Sequence, residues 1–306
     1  MSQQIKDLIS GAVGGLCITL LGHPLDTVKV RLQTMPTPKP GQSPMFTGTF
    51  DCIKKTCKRE GFFGFYKGMS TRMLAVAPHT ALSVFGFGVG KELVSYFKQT
   101  SSENLEMTDL LLAGCCAPFC SVVILAPTER IKCLLQIQTT AKHKIYNGPL
   151  DCAKKLYFSG GIKSIYRGTF LTLIRGIVYN GIYFSSYESL KRLLSSPDKS
   201  KSHFSVGKTL VAGGTAGVLG WSAAMCPDVL KSRYQTAPPG KYTQTLDVVK
   251  DVLRTEGVKG MYKGFTPVII RAFPANACFF LGCEGTKWLF DHFNAEKQHH
   301  LDAIQV

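Results

Sequence analysis

Six stretches of apolar residues divide the chain, and basic or polar segments separate them. The stretches are Leu8–Leu25, Met73–Gly90, Leu110–Pro127, Gly168–Tyr187, Leu210–Pro227 and Gly264–Cys283. A helix needs about 20 apolar residues to cross the roughly 30 Å hydrocarbon core of a bilayer, and each stretch is close to that length. The pattern predicts an all-α membrane protein with six transmembrane helices and both chain ends on one side of the membrane.

The first, third and fifth apolar stretches end in copies of one charged motif. In Pro24-Leu-Asp-Thr-Val-Lys29 and Pro127-Thr-Glu-Arg-Ile-Lys132, an acid follows the proline by two residues and a base follows it by five. The third copy has Cys226 in place of this proline but keeps both charges. Proline inside a helix removes a backbone hydrogen bond, so we expect a kink at the first two copies.

The segments between the apolar stretches repeat with the same spacing. Phe46 to Gly68, Tyr146 to Gly168 and Tyr242 to Gly264 are each 22 residues apart, and a lysine follows each glycine by 23 residues. The equal spacing predicts three homologous repeats, residues 1–100, 101–200 and 201–306, each with a short amphipathic helix on the membrane surface. A soluble helical repeat is the competing architecture, but its usual period is only a few tens of residues.

The charges of the motif can pair between repeats. Charged groups in an apolar surrounding are costly unless they meet partners, so three acids and three bases can close a ring at one end of a three-fold bundle. They are Asp26, Lys29, Glu129, Lys132, Asp228 and Lys231. If the motif occurred only once, an acid and a base three residues apart at a helix end would explain it equally well. Such a pair stabilises a helix by only a few tenths of a kcal/mol.

The triplicated motif resembles that of the mitochondrial carrier family. The resemblance covers nearly the whole chain and implies a monomeric, multi-pass solute antiporter of the mitochondrial inner membrane, without a cofactor. It also implies a central substrate site that opens alternately to the two sides, with the charged ring on the matrix side. Three glutamines would brace that ring, namely Gln33, Gln136 and Gln235.

The second mark of the family is an acid-glycine pair followed by an aromatic residue, a base and a glycine. Glu60-Gly and Tyr66-Lys-Gly68 form the first copy, and Gly160 replaces the acid in the second. By resemblance these loops bind cardiolipin phosphates, while a helix–turn–helix connection that needs glycine is the alternative. The residues are Gly61, Tyr66, Lys67, Gly68, Gly161, Tyr166, Arg167, Gly168, Gly257, Tyr262, Lys263 and Gly264.

A second charged set near the other end resembles the family's cytoplasmic network. It comprises Lys91, Glu188, Lys191, Glu284 and Lys287. By resemblance, Glu188 pairs with Lys287 and Glu284 pairs with Lys91. Gly88 stands where the acid of the first repeat is expected, so Lys191 has no partner and the gate on this side is predicted to be weak.

Two arginines lie inside apolar stretches, where a charged group usually faces a water-filled cavity. Arg175 and Arg271 each follow the last glycine of the second mark by seven residues, and Ala75 holds the matching position in repeat one. A guanidinium binds carboxylate or phosphate bidentately. We therefore expect a substrate site with arginines on two sides and an empty third side. His79 is interpreted as a packed or cavity-facing histidine in this site.

Further residues resemble the carnitine/acylcarnitine branch of the family, for example Ile270-Arg-Ala-Phe-Pro-Ala-Asn-Ala277. That branch implies an acid directly after Arg175 to hold the ammonium group of the ligand, but Gly176 is found here. Tyr179 could replace it through a cation–π contact of about 0.5–2 kcal/mol, or it could simply pack. A Gly176→Asp substitution is then expected to favour carnitine. The alternative substrates are a basic amino acid such as ornithine or an organic acid.

Composition narrows the classes of function. A net charge of +16 would suit nucleic acid, anionic lipid or an anionic ligand, but its exclusion from the apolar stretches favours lipid headgroups over nucleic acid. The 11 cysteines form no metal-binding pattern and are expected to pack as small apolar residues. No nucleophile–base pair is apparent, so an enzyme is not expected.

Overall fold

The computed structural model describes residues 3–38, 41–102, 105–138, 145–194 and 206–304, and not every side chain within these ranges. The described residues are helical and contain no strand. The six long helices are α1 (Gln3–Thr34), α3 (Met69–Lys98), α4 (Met107–Ile137), α6 (Thr169–Leu194), α7 (Val206–Thr236) and α9 (Phe265–Ile304). The short helices are α2 (Thr49–Glu60), α5 (Pro149–Ile165) and α8 (Thr245–Gly260), with a 3-10 turn at Phe62–Tyr66.

The long helices pack side by side in a closed ring, in the order α1, α3, α4, α6, α7, α9 and back to α1. Small residues let neighbouring backbones approach closely between repeats, as helices in lipid do. A Cβ atom at Gly14 of α1 would lie 2.8 Å from the carbonyl oxygen of Phe279 on α9, and one at Gly86 would lie 3.0 Å from the Cα of Ala117 on α4. The ring therefore depends on glycine at these crossings.

Three helical stretches of the described chain are long and apolar enough to cross a membrane by length and composition alone: Phe62–Lys98, Thr108–Ile137 and Phe265–Phe290. Large apolar side chains, among them Leu74, Phe119 and Leu281, are exposed without lining the central cavity. They form an apolar outer surface of the kind that contacts lipid.

At one end of the ring, each short helix packs on the last turns of the first long helix of its own repeat, which is α1, α4 or α7. The three apolar clusters correspond: Val28 and Cys52 belong to the first, Leu135 and Cys152 to the second, and Leu230 to the third. Burial raises the pKa of the Cys52 thiol to about 11 and that of Cys152 to about 12. Both are therefore protonated packing residues at neutral pH.

Candidate functional site

Three ion pairs close one end of the bundle, and each joins two neighbouring repeats. The Nζ atom of Lys132 lies 2.8 Å from a carboxylate oxygen of Asp26, and that of Lys29 lies 2.7 Å from Asp228. Lys231 pairs with Glu129 to complete the circle. The structure thus brings all six motif charges into one ring, hereafter the closed ring.

Only one of the three glutamines bonds directly to the closed ring. The Gln33 amide donates to Asp228 at 2.8 Å. The Gln136 amide instead donates to the hydroxyl of Thr27 at 2.9 Å. Gln235 is buried, and its amide atoms make no hydrogen bond with any described residue. The expected set of three braces is therefore not symmetric, because each glutamine meets different neighbours.

Below the closed ring lies a second tier of charges that the sequence reasoning did not find. Arg31 pairs with Glu60 at 2.7 Å and donates from its Nε atom to the main-chain oxygen of Gln136, 3.0 Å away on α4. Arg233 of repeat three pairs with Glu256 at 2.7 Å, and its Nε atom donates to the main-chain oxygen of Gln33 on α1. In repeats one and three, each arginine therefore latches the short helix of its own repeat and also contacts the next repeat.

Repeat two lacks this latch, because Leu134 and Gly160 stand at the positions of the arginine and the acid. The sequence does carry a signal for the latch. An arginine follows the motif lysine by two residues in repeats one and three, whereas Leu134 follows Lys132. In the third repeat, burial raises the pKa of Glu256, but hydrogen bonds from Arg233, Lys263 and another side chain outweigh it and lower the pKa to about 2.

The last glycine of each second mark meets the first long helix of the next repeat. Gly68 has a φ of 77°, and a Cβ atom there would lie 3.1 Å from the carbonyl oxygen of Lys132. Gly168 and Gly264 have positive φ and approach α7 and α1 in the same way. The cations of the marks also bond within the protein: Lys67 to Glu60 at 2.6 Å and Lys263 to Glu256 at 2.8 Å. Arg167 donates to the main-chain oxygens of residues 237 and 242.

The other glycines of the marks stand at the breaks after the surface helices. Gly61, Gly161 and Gly257 have φ of 69°, 61° and 65°, and a Cβ atom at each would meet nothing within 4 Å. The aromatic rings differ between repeats: Tyr66 stacks on His23 at 6.2 Å, while Tyr166 donates from its hydroxyl to the main chain of Val123. Tyr262 contacts Phe265 edge to face.

A cavity of about 530 Å³ lies directly against the closed ring. Its wall includes all six ring charges and the expected substrate residues Arg175, Arg271, Gly176, Tyr179 and His79. Six lysines and arginines but only three carboxylates line it, so the charged side chains in the wall sum to +3. Such a cavity attracts anions and repels free cations.

The two expected arginines bind the acids of the closed ring. Arg175 is 8% exposed and lies 3.3 Å from Glu129 and 3.8 Å from Asp228. Arg271 lies 3.3 Å from Asp26. The buried Nε–H group of each makes no hydrogen bond with a described residue. These Nε atoms lie near ring carboxylates, 3.3 Å from Asp26 for Arg271 and 3.8 Å from Asp228 for Arg175, so an anion in the cavity would compete with the ring acids for both arginines.

The expectation of an empty third side is wrong. Ala75 is buried, but Arg72, one turn earlier on α3, lines the cavity. The sequence comparison overlooked it because the matching residues of the other repeats, Thr172 and Val268, are uncharged. Trp221 is a further wall residue that was not foreseen, and the charged groups of Lys29, Arg175 and Arg271 lie 4.4–5.8 Å from its ring centroid.

The region around Gly176 is closely packed. A Cβ atom at Gly176 would lie 3.1 Å from the Cβ of Pro118 on α4. An aspartate at position 176 therefore requires Pro118 to move away by a few tenths of an ångström. The ring of Tyr179 stacks on Tyr183 at 5.7 Å and meets Trp221 at 5.1 Å. Tyr179 therefore packs between α6 and α7 and also borders the cavity.

The expected cytoplasmic pair of Glu284 and Lys91 is not formed among the described residues. The Lys91 ammonium instead lies 5.9 Å from the ring centroid of Phe87, and the side chains of Glu284 and Lys287 are exposed. The side chains of Glu188 and Lys191 lie outside the described residues. Because alternating access closes one end at a time, separation here is consistent with a ring closed at the other end.

A ring of membrane-spanning helices around a charged central cavity is the architecture of a transporter for small solutes. The chain belongs to the mitochondrial carrier family: the family model described as mitochondrial carrier protein matches residues 2–98, 103–198 and 202–293. It is therefore an all-α, multi-pass protein of the mitochondrial inner membrane. Members of this family are transporters and not enzymes.

Several relatives match nearly the whole chain. The human mitochondrial carnitine/acylcarnitine carrier protein is 51% identical over 282 residues, which is 92% of each chain. Protein dif-1 of Caenorhabditis elegans is 48% identical over 299 residues, 96% of this chain and 94% of its own. Mitochondrial magnesium exporter 1 of Drosophila melanogaster is 42% identical over 287 residues, 93% of this chain and 94% of its own.

Proposed function

We propose that this carrier exchanges carnitine and acylcarnitines, with the carboxylate of the ligand bound by Arg175 and Arg271. The observation that carries the proposal is the pair of arginines in the cavity wall, Arg175 buried and Arg271 partly buried, which bind carboxylates of the closed ring in this state. A carboxylate matches the planar fork of a guanidinium. The similarity to the human carnitine/acylcarnitine carrier supports this choice of substrate.

The cavity also offers an apolar wall for the acyl group. Val84 and Phe87 of α3 and Ala117, Val122 and Leu125 of α4 line the side between these helices. A volume of about 530 Å³ lies within the roughly 300–1,000 Å³ that is usual for small-molecule sites. The headgroup would lie at the arginines, with the acyl chain extending along α3 and α4.

The ammonium group of carnitine needs a partner other than an acid at position 176. Asp26 is the most accessible acid of the closed ring, with 23% of its side chain exposed. If the ligand carboxylate takes Arg271, Asp26 loses one of its two cations and can face the ammonium group. The ring of Tyr179 adds a cation–π surface beside it.

This exchange of partners would couple binding to opening. In the state seen here, the ligand and the ring acids compete for the same arginines. When the closed ring opens, those arginines become available to the ligand alone. The ligand therefore binds the opening state more tightly, which is the differential affinity that a conformational change requires.

Exchange in proteoliposomes tests this function. Vesicles of phosphatidylcholine and cardiolipin, loaded with carnitine, should take up labelled carnitine, acetylcarnitine and palmitoylcarnitine saturably and only in exchange. Arg175→Ala and Arg271→Ala should abolish exchange, whereas Arg59→Ala, an exposed cation on α2, should not. Saturable uptake of ornithine or a dicarboxylate without any carnitine exchange would refute the carnitine proposal.

An organic acid is the second candidate, and the +3 charge of the cavity wall supports it. The same charge disfavours a basic amino acid. It also disfavours a free divalent cation, because Mg²⁺ is bound through oxygen ligands and each carboxylate in the wall is already paired with a lysine. The relative named as a magnesium exporter therefore does not decide the substrate of this chain.

We further propose that cardiolipin binds as the carrier family suggests, with its phosphates near Gly61, Gly161 and Gly257. At each of these glycines the surface helix breaks with positive φ and the surrounding space is open. Main-chain amides at the start of the following turn would face the phosphate. We propose a monomer without a nucleic-acid partner, and native mass spectrometry with and without cardiolipin tests the lipid and the monomer together.

A further inference from the structure

Arg72 is a half-buried cation in the cavity wall that the closed ring does not use. Within the described part of the chain, no carboxylate lies at ion-pair distance from its guanidinium. Arg175 and Arg271, by contrast, each bind acids of the ring. A guanidinium that lines a cavity without a carboxylate partner can bind an anionic group of a ligand.

The surroundings of Arg72 form an anion-attracting corner. Arg72 and His79 on α3 share the cavity with Glu129 on α4 and Arg175 on α6, and these helices are neighbours in the ring. Arg72 acts electrostatically on both Glu129 and His79. Glu129 is already held by Lys231 and Arg175. One carboxylate therefore stands among three cations, and the corner has an excess of positive charge.

We propose that Arg72 binds a second anionic group of the substrate, so that this carrier prefers solutes with two carboxylates. A ligand with one carboxylate would share it between Arg175 and Arg271. In a ligand with two, the first would stay at Arg271, and the second would occupy the corner between Arg72 and Arg175. The inference rests on the proposed function and narrows its substrate class to acyl esters that end in a carboxylate, or to dicarboxylates. It also accounts for Gly176, since an extra acid there would repel such a ligand.

Repeat symmetry supports a role in the substrate site over a role in the fold. The charges of the closed ring occur in all three repeats, whereas Arg72 corresponds to Thr172 and Val268. A cation present on one wall only makes the cavity asymmetric. Asymmetry of this kind suits an asymmetric ligand, and the closed ring does not need it.

The test compares two esters that differ by one carboxylate. Proteoliposomes of phosphatidylcholine and cardiolipin, loaded with carnitine, are assayed with external acetylcarnitine and with external glutarylcarnitine. The wild type should show the lower KM for glutarylcarnitine. Arg72→Ala should raise that KM roughly 10- to 100-fold, the range for loss of a charge-assisted hydrogen bond, and change the acetylcarnitine KM less than about twofold. Arg72→Lys should recover part of the difference.

The remaining outcomes separate the second-anion role of Arg72 from the proposal of carnitine exchange. If Arg72→Ala leaves both KM values unchanged, or raises both equally, the second-anion role is refuted while carnitine exchange stands. If the wild type exchanges glutarate in an Arg72-dependent manner but neither ester, the carnitine proposal fails and the inference stands. The melting temperatures of Arg72→Ala and the surface control Arg59→Ala, compared with the wild type, show whether the variants are folded.

Discussion

Arg31 and Glu60 form the latch of repeat one, and repeat two shows what a carrier repeat is like without it. Replacing Arg31 by leucine reproduces Leu134, the residue at the matching position. Replacing Glu60 by glutamine removes the charge but keeps the shape of the side chain. The two single variants and the double variant form a cycle that measures how far each partner depends on the other.

The structure predicts unequal effects. The Arg31 and Glu60 side chains are 2% and 7% exposed, and two nitrogen–oxygen distances of 2.7 and 2.8 Å join them. Breaking a buried pair from one side costs about 3–5 kcal/mol, because the other charge stays buried. Arg31→Leu should be the milder change, since Glu60 keeps Lys67 at 2.6 Å. Glu60→Gln should be the more severe, since it leaves two cations without their carboxylate.

Thermal unfolding in detergent with cardiolipin, followed by the fluorescence of Trp221 and Trp288, measures these costs at one fixed scan rate. At about 2 °C per kcal/mol for a chain of this size, Glu60→Gln should lower the melting temperature by about 6–10 °C. The double variant should lose less than the sum of the single variants, with a coupling of about 1–3 kcal/mol. Strictly additive losses, or losses no larger than that of Arg59→Leu, would refute the latch.

Three further predictions concern single positions. Gly68→Ala should destabilise the carrier by more than Gly240→Ala, because both glycines have positive φ, 77° and 85°, but only Gly68 faces a backbone within contact distance; melting temperatures compare the two. Gly176→Asp alone should not lower the KM for carnitine below that of the wild type, whereas the double variant with Pro118→Ala should, because it removes the contact that crowds the aspartate; exchange assays compare the three proteins. The pKa of Glu256 is lowered to about 2, so its contribution to stability is present above pH 4.5 and is lost as the pH falls toward 2; Glu256→Gln should flatten the melting temperature over this interval.

Repetition explains what the sequence could predict. The charges of the closed ring occur three times at one spacing, so their convergence followed from the pattern, as did the six-helix bundle. Arg72 has no counterpart in the other repeats and therefore gave no signal. The contact between Gly176 and Pro118 depends on how α4 crosses α6, and no spacing along the chain encodes that distance. The sequence showed where a repeat lacks a motif residue, as at Gly160, but it did not show which contacts replace it.

The closed ring and the substrate arginines share their partners, and this sharing sets the energy available for transport. Shifting a two-state equilibrium from 1:99 to 99:1 requires about 5.5 kcal/mol of differential affinity. A hydrogen bond to a charged group contributes about 1.5–3 kcal/mol, so two arginines released from Asp26 and Glu129 to a ligand can supply most of that difference. The lysine pairs need not be broken by the ligand itself. A solute without a carboxylate would leave both arginines on the ring acids, and so it could occupy the cavity without opening it.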